Sequence, residues 1–385
     1  MDHYSGTFAD DGSQITFDNA VSLAAIQGFF PNGDLLIYSQ DTNDLDKYLR
    51  GYLVQRYFRF DWKTGKKEEL FKAWPDHKQV TALFILSDEQ LLVAAGTAYE
   101  EQMMYLCDLD GNNKEQMWEK PAGYAYGMSF SPDRETLAYH LTGAGNEFNS
   151  PGCYYSINTL EIKSKKRKLI YEKPGHLMFG PVWSADGKYL LFQDCHAEVD
   201  RNHLFSDIVY VSSDGSSVNY VTQDQASYFG TTFGLPEYRS GGSNCPIYTP
   251  DGRIIFARRS PGAHPDNDYD PSRGDHHENG YAPENARGGS WLVIYDPATK
   301  KEQDITRYQE GKWDFRASIN KEKDGIVYTS VWNGKASQIH MCRMDGSDDR
   351  FITDGHDHKG ADFGRWTAER NPDMIRAFRE TFLKA

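Results

Sequence analysis

One pattern recurs six times along the 385 residues and leaves few folds open to the chain. It is an apolar strand, an aromatic residue, a tight turn carrying Asp-Gly or its equivalent, and a second apolar strand. The copies are "IQGFFPNGDLLIYS" (26–39), "VTALFILSDEQLLVAAG" (80–96), "YGMSFSPDRETLAYH" (126–140), "GPVWSADGKYLLFQ" (180–193), "NCPIYTPDGRIIFARR" (244–259) and "FRASINKEKDGIVYTS" (315–330). Each is followed by a second strand pair with a polar turn, such as "IVYVSSDGSSVNYVT" or "WLVIYDPATKKEQDIT", and these pairs read as hairpins. Strand-only units repeating at roughly 45 to 65 residues predict an all-β fold, a β-propeller with one four-stranded blade per unit. A β-sandwich would not repeat its turn chemistry so regularly.

The ends extend the pattern. "SGTFADDGSQITF" (5–17) reads as two more strands and "GADFGRW" (360–366) as one more, and neither packs alone. Stitched together they predict a seventh blade, with six as the alternative, in a single domain over 1–385. Helical periodicity is confined to "NPDMIRAFRETFLK", which predicts a helix over about 371–384.

Bulk chemistry narrows the function classes. Net charge is −14, which argues against nucleic acid as a partner. No run approaches the ~18 apolar residues of a membrane span. The first thirty residues show no basic start followed by an apolar core, so the expected setting is cytoplasmic, or periplasmic if a signal peptide was removed. Five widely spaced cysteines without a CxxC pair fit free thiols in a reducing compartment. Oligomeric state is not legible in the sequence.

In a blade with strands a to d, the d→a and b→c connections open on one face. Ten of the twelve histidines map there: His77, His176, His356 and His358, His140 and His196, and His203, His264, His276 and His277. The long insertions "AGNEFNSPGCYY", "AEVDRNHLFSD" and "SPGAHPDNDYDPSRGDHHENGYAPENARGG" open on the same face, where binding and catalysis usually sit. A lone loop histidine is most often only solvated; the clustering is what singles these out. His356 and His358 in "GHDHKGAD", completed by His276 or His277 with Asp or water, could hold one transition-metal ion. Asp266, Asp268 and Asp270 have a calcium-like spacing without the glycine and glutamate of an EF-hand. Arg258, Arg259, Arg239, Arg316 and Arg365 are candidate partners for a carboxylate, whose two oxygens match the guanidinium fork. Tyr126, Tyr238, Trp313 and Trp332 could stack on a sugar, although blade packing is the plainer reading for all but Tyr238.

The turns "SPDR", "SADG" and "TPDG" with the later "SSDGSS" and "MDGSDDRFIT" resemble the TolB-like propellers. Among those, "AYGMSFSPDRETLAYH", "LLFQDCHAEVD" and "GIVYTSVWNGKASQIHM" are similar to oligogalacturonate lyases. That resemblance implies a seven-bladed, cytoplasmic, manganese-dependent enzyme that cleaves short uronic-acid chains by β-elimination. It implies His196, His140 and Arg258 as catalytic groups. Arg259, Arg239, Asn244, Arg316, Tyr238 and His176 would be substrate contacts; the divalent ion it implies, such as manganese, has its candidate ligands in His356, His358 and His277, one blade later than the family's own His-x-His. The partner implied is a small acidic oligosaccharide or glycoside. Three departures stand out: "WDFRAS" where the family has a metal-binding His-x-His, Asn244 where it has a histidine, and Ser206 or Asp207 where it has an arginine. A relative acting on another acidic glycan fits these departures better than the lyase itself. The rival class is a non-catalytic propeller that binds protein or sugar through the same face.

Overall fold

The computed structural model describes residues 6–8, 15–17, 24–40, 55–72, 80–95, 103–118, 125–142, 155–197, 204–226, 231–233, 240–242, 246–264, 267–268, 280–319, 324–335, 338–351 and 372–383. Six antiparallel units of four strands follow the six sequence copies. Blade 1 is Ala24–Phe29, Leu35–Gln40, Gln55–Asp61 and Lys66–Glu69; blade 2 is Val80–Ile85, Gln90–Ala95, Met103–Asp108 and Glu115–Gln116. Blade 3 is Ala125–Phe130, Thr136–Thr142, Tyr155–Glu161 and Arg167–Glu172; blade 4 is His176–Trp183, Tyr189–Ala197, Leu204–Ser212 and Val218–Tyr220. Blade 5 is Ile247–Tyr248, Ile254–Arg259, Ser290–Asp296 and Lys301–Asp304; blade 6 is Lys312–Ile319, Gly325–Trp332, Gln338–Arg343 and Arg350–Phe351. A single parallel pairing, Ser290 with Trp313, joins blades 5 and 6 into one sheet path. The fold is a β-propeller of four-stranded blades. Gly6–Phe8 and Ile15–Phe17 pair with each other as the terminal sequence suggested. The strand expected at 360–366 lies outside the described residues.

The chain divides into two compact units. The first holds residues 1–124 with 369–385, and the second residues 125–368. In the first, the C-terminal helix Pro372–Phe378 continues as a wider turn to Leu383. It lays Met374 and Phe378 on Leu35, Ile37, Phe58 and Phe60 of blade 1. In the second, each blade buries one apolar stripe per face. Ala138 and Ile157 of blade 3 meet Met178, Leu190 and Phe192 of blade 4. Leu191 and Ile208 of blade 4 meet Ile254, Phe256 and Val293 of blade 5. Alternation along each strand sends successive side chains to opposite neighbours.

The repeated turn has a physical cause. Ser184 Oγ donates to Asp186 Oδ1 at 2.7 Å and accepts from the Tyr189 N–H at 3.0 Å. Ser131 repeats this with Asp133 and Thr136, and Thr249 bonds Asp251 likewise. The residue after the aspartate takes a left-handed conformation, φ 70° at Gly187 and 86° at Gly252. Arg134 stands in that place in "SPDR" at φ 62°, a conformation an L side chain adopts at a cost. The later Asp-Gly turn fastens blades together. A Cβ on Gly346 would lie 1.9 Å from the Ile305 carbonyl oxygen, and one on Gly215 would lie 2.8 Å from that of Ile170.

Candidate functional site

The ends of the strands opposite those turns carry the chemistry of the second unit. Counting from the first pair after each turn aligns the second strands of blades 3 to 6. One register then holds His140, Gln193, Ala257 and Thr329, and the next holds Leu141, Asp194, Arg258 and Ser330. Most of these side chains are polar, and His140, Gln193, Asp194, Thr329 and Ser330 are all at most 2% exposed.

Blade 4 is the most developed. His176 opens its first strand opposite His196, and Met178 lies opposite Asp194. Leu190 and Phe192 enter the core toward blade 3. Asp194 follows two residues later on the same side of the strand. A carboxyl at such a register needs a partner. His176 Nδ1 lies 2.7 Å from Asp194 Oδ1, with the two side chains 13% and 1% exposed. Toward an ionised carboxylate Nδ1 is the donor, and in the neutral ring Nε2 then carries the lone pair. Asp194 Oδ2 is buried and has no hydrogen-bond partner among the described residues. Of His196 the backbone alone is described, paired with His176 on one side and Phe205 on the other.

Blade 6 repeats the arrangement with different residues. Lys312 opens the first strand as His176 does, and its Nζ lies 3.0 Å from Asp314 Oδ2. Ser330 Oγ donates to Asp314 Oδ1 at 2.6 Å. Both groups are buried. Burial pushes the Asp314 carboxyl up, against the pull of Lys312 and of the Ser330 and Thr306 hydroxyls. Both first strands bulge at the same place, after Phe179 and after Phe315. Gly180 takes φ 60° in one bulge, and Arg316 takes φ 53° in the other.

The remaining candidates fall as follows. His140 is enclosed: it stacks on Tyr155, meets the edge of Phe179, and its Nδ1 accepts the Gly180 N–H at 3.2 Å. Burial lowers its pKa to about 3, so the ring is neutral through the physiological range. Arg258 donates Nη1 to Gln225 Oε1 at 2.6 Å and pairs through Nη2 with Glu302. Arg259 Nε and Nη2 both donate to the Asp224 carbonyl, at 3.1 and 2.8 Å. Trp313 is core, its Nε1 on Asn333 Oδ1 at 2.8 Å. Arg239, Asn244, Tyr238, His277, His356, His358 and Arg365 lie outside the described residues, as does most of the calcium-like stretch. Cys107, Cys195 and Cys342 are buried, and none of the three forms a disulfide. Burial raises the Cys107 and Cys342 thiols to about 12, which keeps them unreactive. No helix among the described residues is long and apolar enough to cross a membrane.

Sequence reasoning missed Asp194, Lys312 and Asp314. For Asp194 a signal existed. In "YLLFQDCH" the alternation Leu190, Phe192, Asp194, His196 puts a carboxyl and an imidazole on an apolar stripe.

No family model matches the chain, and no curated protein sequence does. Solved structures match through the fold. An oligogalacturonate lyase from Vibrio parahaemolyticus superposes with a TM-score of 0.57 at 11% identity, over 94% of this chain and 88% of that one. An oligogalacturonate lyase in complex with manganese gives 0.55 at 11%, over 96% and 88%. A TolB from Acinetobacter baumannii gives 0.43 at 14%, with 77% of this chain spanning 64% of that one. The resemblance to the two lyase structures is thus found in structure as well as in sequence. At such identity it shows the fold, and a propeller fold hosts many unrelated functions.

Proposed function

We propose that the protein is a carbohydrate-active enzyme that cleaves a short uronic-acid-containing oligosaccharide, or a related acidic glycoside, by β-elimination. The observation that carries this reading is the pair of half-buried His176 with buried Asp194 at the strand ends of blade 4. A carboxylate that holds Nδ1–H turns Nε2 into an oriented base. In the reaction that base takes the proton on the carbon next to the uronate carboxylate. The electron pair forms the new carbon–carbon double bond, and the glycosidic oxygen leaves with a proton. The developing charge on the carboxylate needs cations. Arg258 and Arg259, at the corresponding strand end of blade 5, are the candidates, and to serve they must turn from Glu302 and the Asp224 carbonyl that hold them in this structure. His196, opposite His176 in register, is the nearest candidate for the acid that protonates the leaving oxygen. His140, neutral and enclosed, accepts a backbone N–H instead.

A lyase with this fold is known in complex with manganese, and a divalent ion would neutralise the same carboxylate. Among the described residues no group of three His, Cys, Asp or Glu is arranged to hold a metal ion. The set His277, His356 and His358 lies outside them, so no step is routed through a metal here. The seventh blade, the single domain over 1–385 and a cytoplasmic setting belong to the same proposal.

The test is a panel of short oligouronides and uronate glycosides followed by ultraviolet absorbance of the unsaturated product, with and without added manganese. Product from at least one acidic substrate and none from neutral analogues is the expected result. Saturable binding of the same sugars without product would assign the face to a binding module.

A further inference from the structure

A row of polar side chains crosses all of blade 4, and one atom in it lacks an explanation. His176 stands on the first strand, Asp194 on the second, Asp207 on the third, and Thr222 just past the fourth. Asp194 Oδ1 is taken by His176. Asp207 Oδ1 accepts from Thr222 Oγ1 and from the Asp224 N–H, both at 2.8 Å. One oxygen on each carboxyl remains, and Asp194 Oδ2 is buried without a hydrogen-bond partner among the described residues. Asp194 and Asp207 are direct cross-strand partners, 0% and 7% exposed. Such partners share a face, with Cβ atoms about 4.5–5.5 Å apart.

Two ionised carboxylates this close in a dry site repel each other strongly. The titratable groups facing them are His176 on the first strand, Asp224 in the connection after the fourth, and Tyr171 on the last strand of blade 3. Tyr171 bonds the Tyr220 hydroxyl at 2.8 Å. Of these only His176 can become positive. A cation could cover the orphan oxygen, but the described carboxylates and imidazoles do not form a three-ligand set. A proton carried by the neighbouring carboxyl is the other way to cover it.

We propose that Asp207 holds a proton on its second oxygen and donates it to Asp194 Oδ2, so that a carboxyl–carboxylate pair, not a lone carboxylate, positions His176. Asp207 is then a positioning residue, and its effect on turnover rests on the reading of His176 as the base. Burial, with the charges of Asp224 and Asp194, holds the Asp207 carboxyl above the usual carboxylate range, in the direction the proposal requires.

The experiment is a carboxyl-carbon NMR titration of the full chain labelled with carbon-13 at the aspartate side-chain carboxyl. The resonance that disappears in Asp207→Asn assigns Asp207. It is expected to titrate well above the ordinary value of about 3.9, and to move back toward it in Asp194→Asn. Titration at or below the ordinary value, or a midpoint indifferent to Asp194→Asn, overturns the proposal. Asparagine keeps a donor toward Asp194 and an acceptor toward Thr222. Asp207→Asn should therefore leave turnover and its pH profile within about threefold of the wild type, whereas Asp207→Leu lowers turnover at least about tenfold. Equal losses in both variants also overturn it. If the wild type turns over no uronide, the titration still decides where the proton sits, so this inference and the proposed reaction fail separately.

Discussion

Blade 2 ends its second strand on Ala94 and Ala95, 0% and 1% exposed. At the same register blade 4 has Gln193 and Asp194, 1% and 0% exposed. The frame is the same: two strands joined by a turn, a bulge in the first, and a buried end to the second. In the first unit the polar partnership sits at the turn end. There Arg59 holds Asp34 at 2.6 Å and the Asp88 carbonyl at 2.6 Å, and lies over Phe30. In the second unit charged side chains go under cover at the opposite end, in blades 4 and 6, each with a partner on a neighbouring strand or two residues along the same one. Blades need no charge there to pack, since blade 2 does without. A propeller that buries one anyway does so at a cost that packing does not explain.

The largest test of that contrast adds the charge without its partner. Ala95→Asp should cost about 3–5 kcal/mol in denaturant unfolding, because among the described residues of blade 2 none stands beside this position as His176 stands beside Asp194. A cost below about 1 kcal/mol would mean that this register tolerates a carboxylate anywhere, and the special status of blade 4 would fall.

A second test isolates the enclosed imidazole of His140. His140 is neutral in the folded state down to about pH 3, whereas an unfolded histidine takes its proton near 6.5. Its folded pKa is depressed, so its contribution is complete above pH 6.5 and is lost as pH falls from there toward 3. Between pH 6.5 and 5 the loss is up to about 2 kcal/mol. Comparing wild type with His140→Gln at both pH values isolates it, and the variant should show the shallower slope. Equal slopes would show that the ring is open to protons when folded.

The smallest effect concerns the turn end. Arg134 occupies a left-handed position at φ 62° that glycine fills in blades 4 and 5. Arg134→Gly should leave the midpoint unchanged or raise stability by about 0.5 kcal/mol, the relief of strain outweighing the added freedom of the unfolded chain. A clear loss would mean that the Arg134 side chain over Phe130 contributes more than the strain costs.

The frame was largely legible in the sequence because its determinants are local. Alternating apolar residues and hydroxyl–Asp–Gly turns lie within a dozen residues of one another, and all six copies became blades. The chemistry was less legible because it depends on register between strands. Arg258 shows why. Aligned on its Asp-Gly turn, it matches Gln193. The Thr249 N–H closes on the Arg253 carbonyl, one residue sooner than Ser184 closes on Tyr189, and this moves Arg258 to the register of Asp194. His176 was read as part of a connection and is the first residue of a strand. Lys312 and Asp314 sit in "KWDFRAS", where the spacing marks one face of a strand and carries no sign that the two side chains meet under cover.

The central claim is that the imidazole held by Asp194 does the chemistry. The most direct measurement is turnover of the best acidic substrate by His176→Gln, with thermal unfolding followed on the same preparation. The account predicts a loss of about 100-fold or more in kcat, the usual size of a general-base contribution, with little change in the unfolding midpoint. Turnover retained within a few fold by a folded His176→Gln would contradict it.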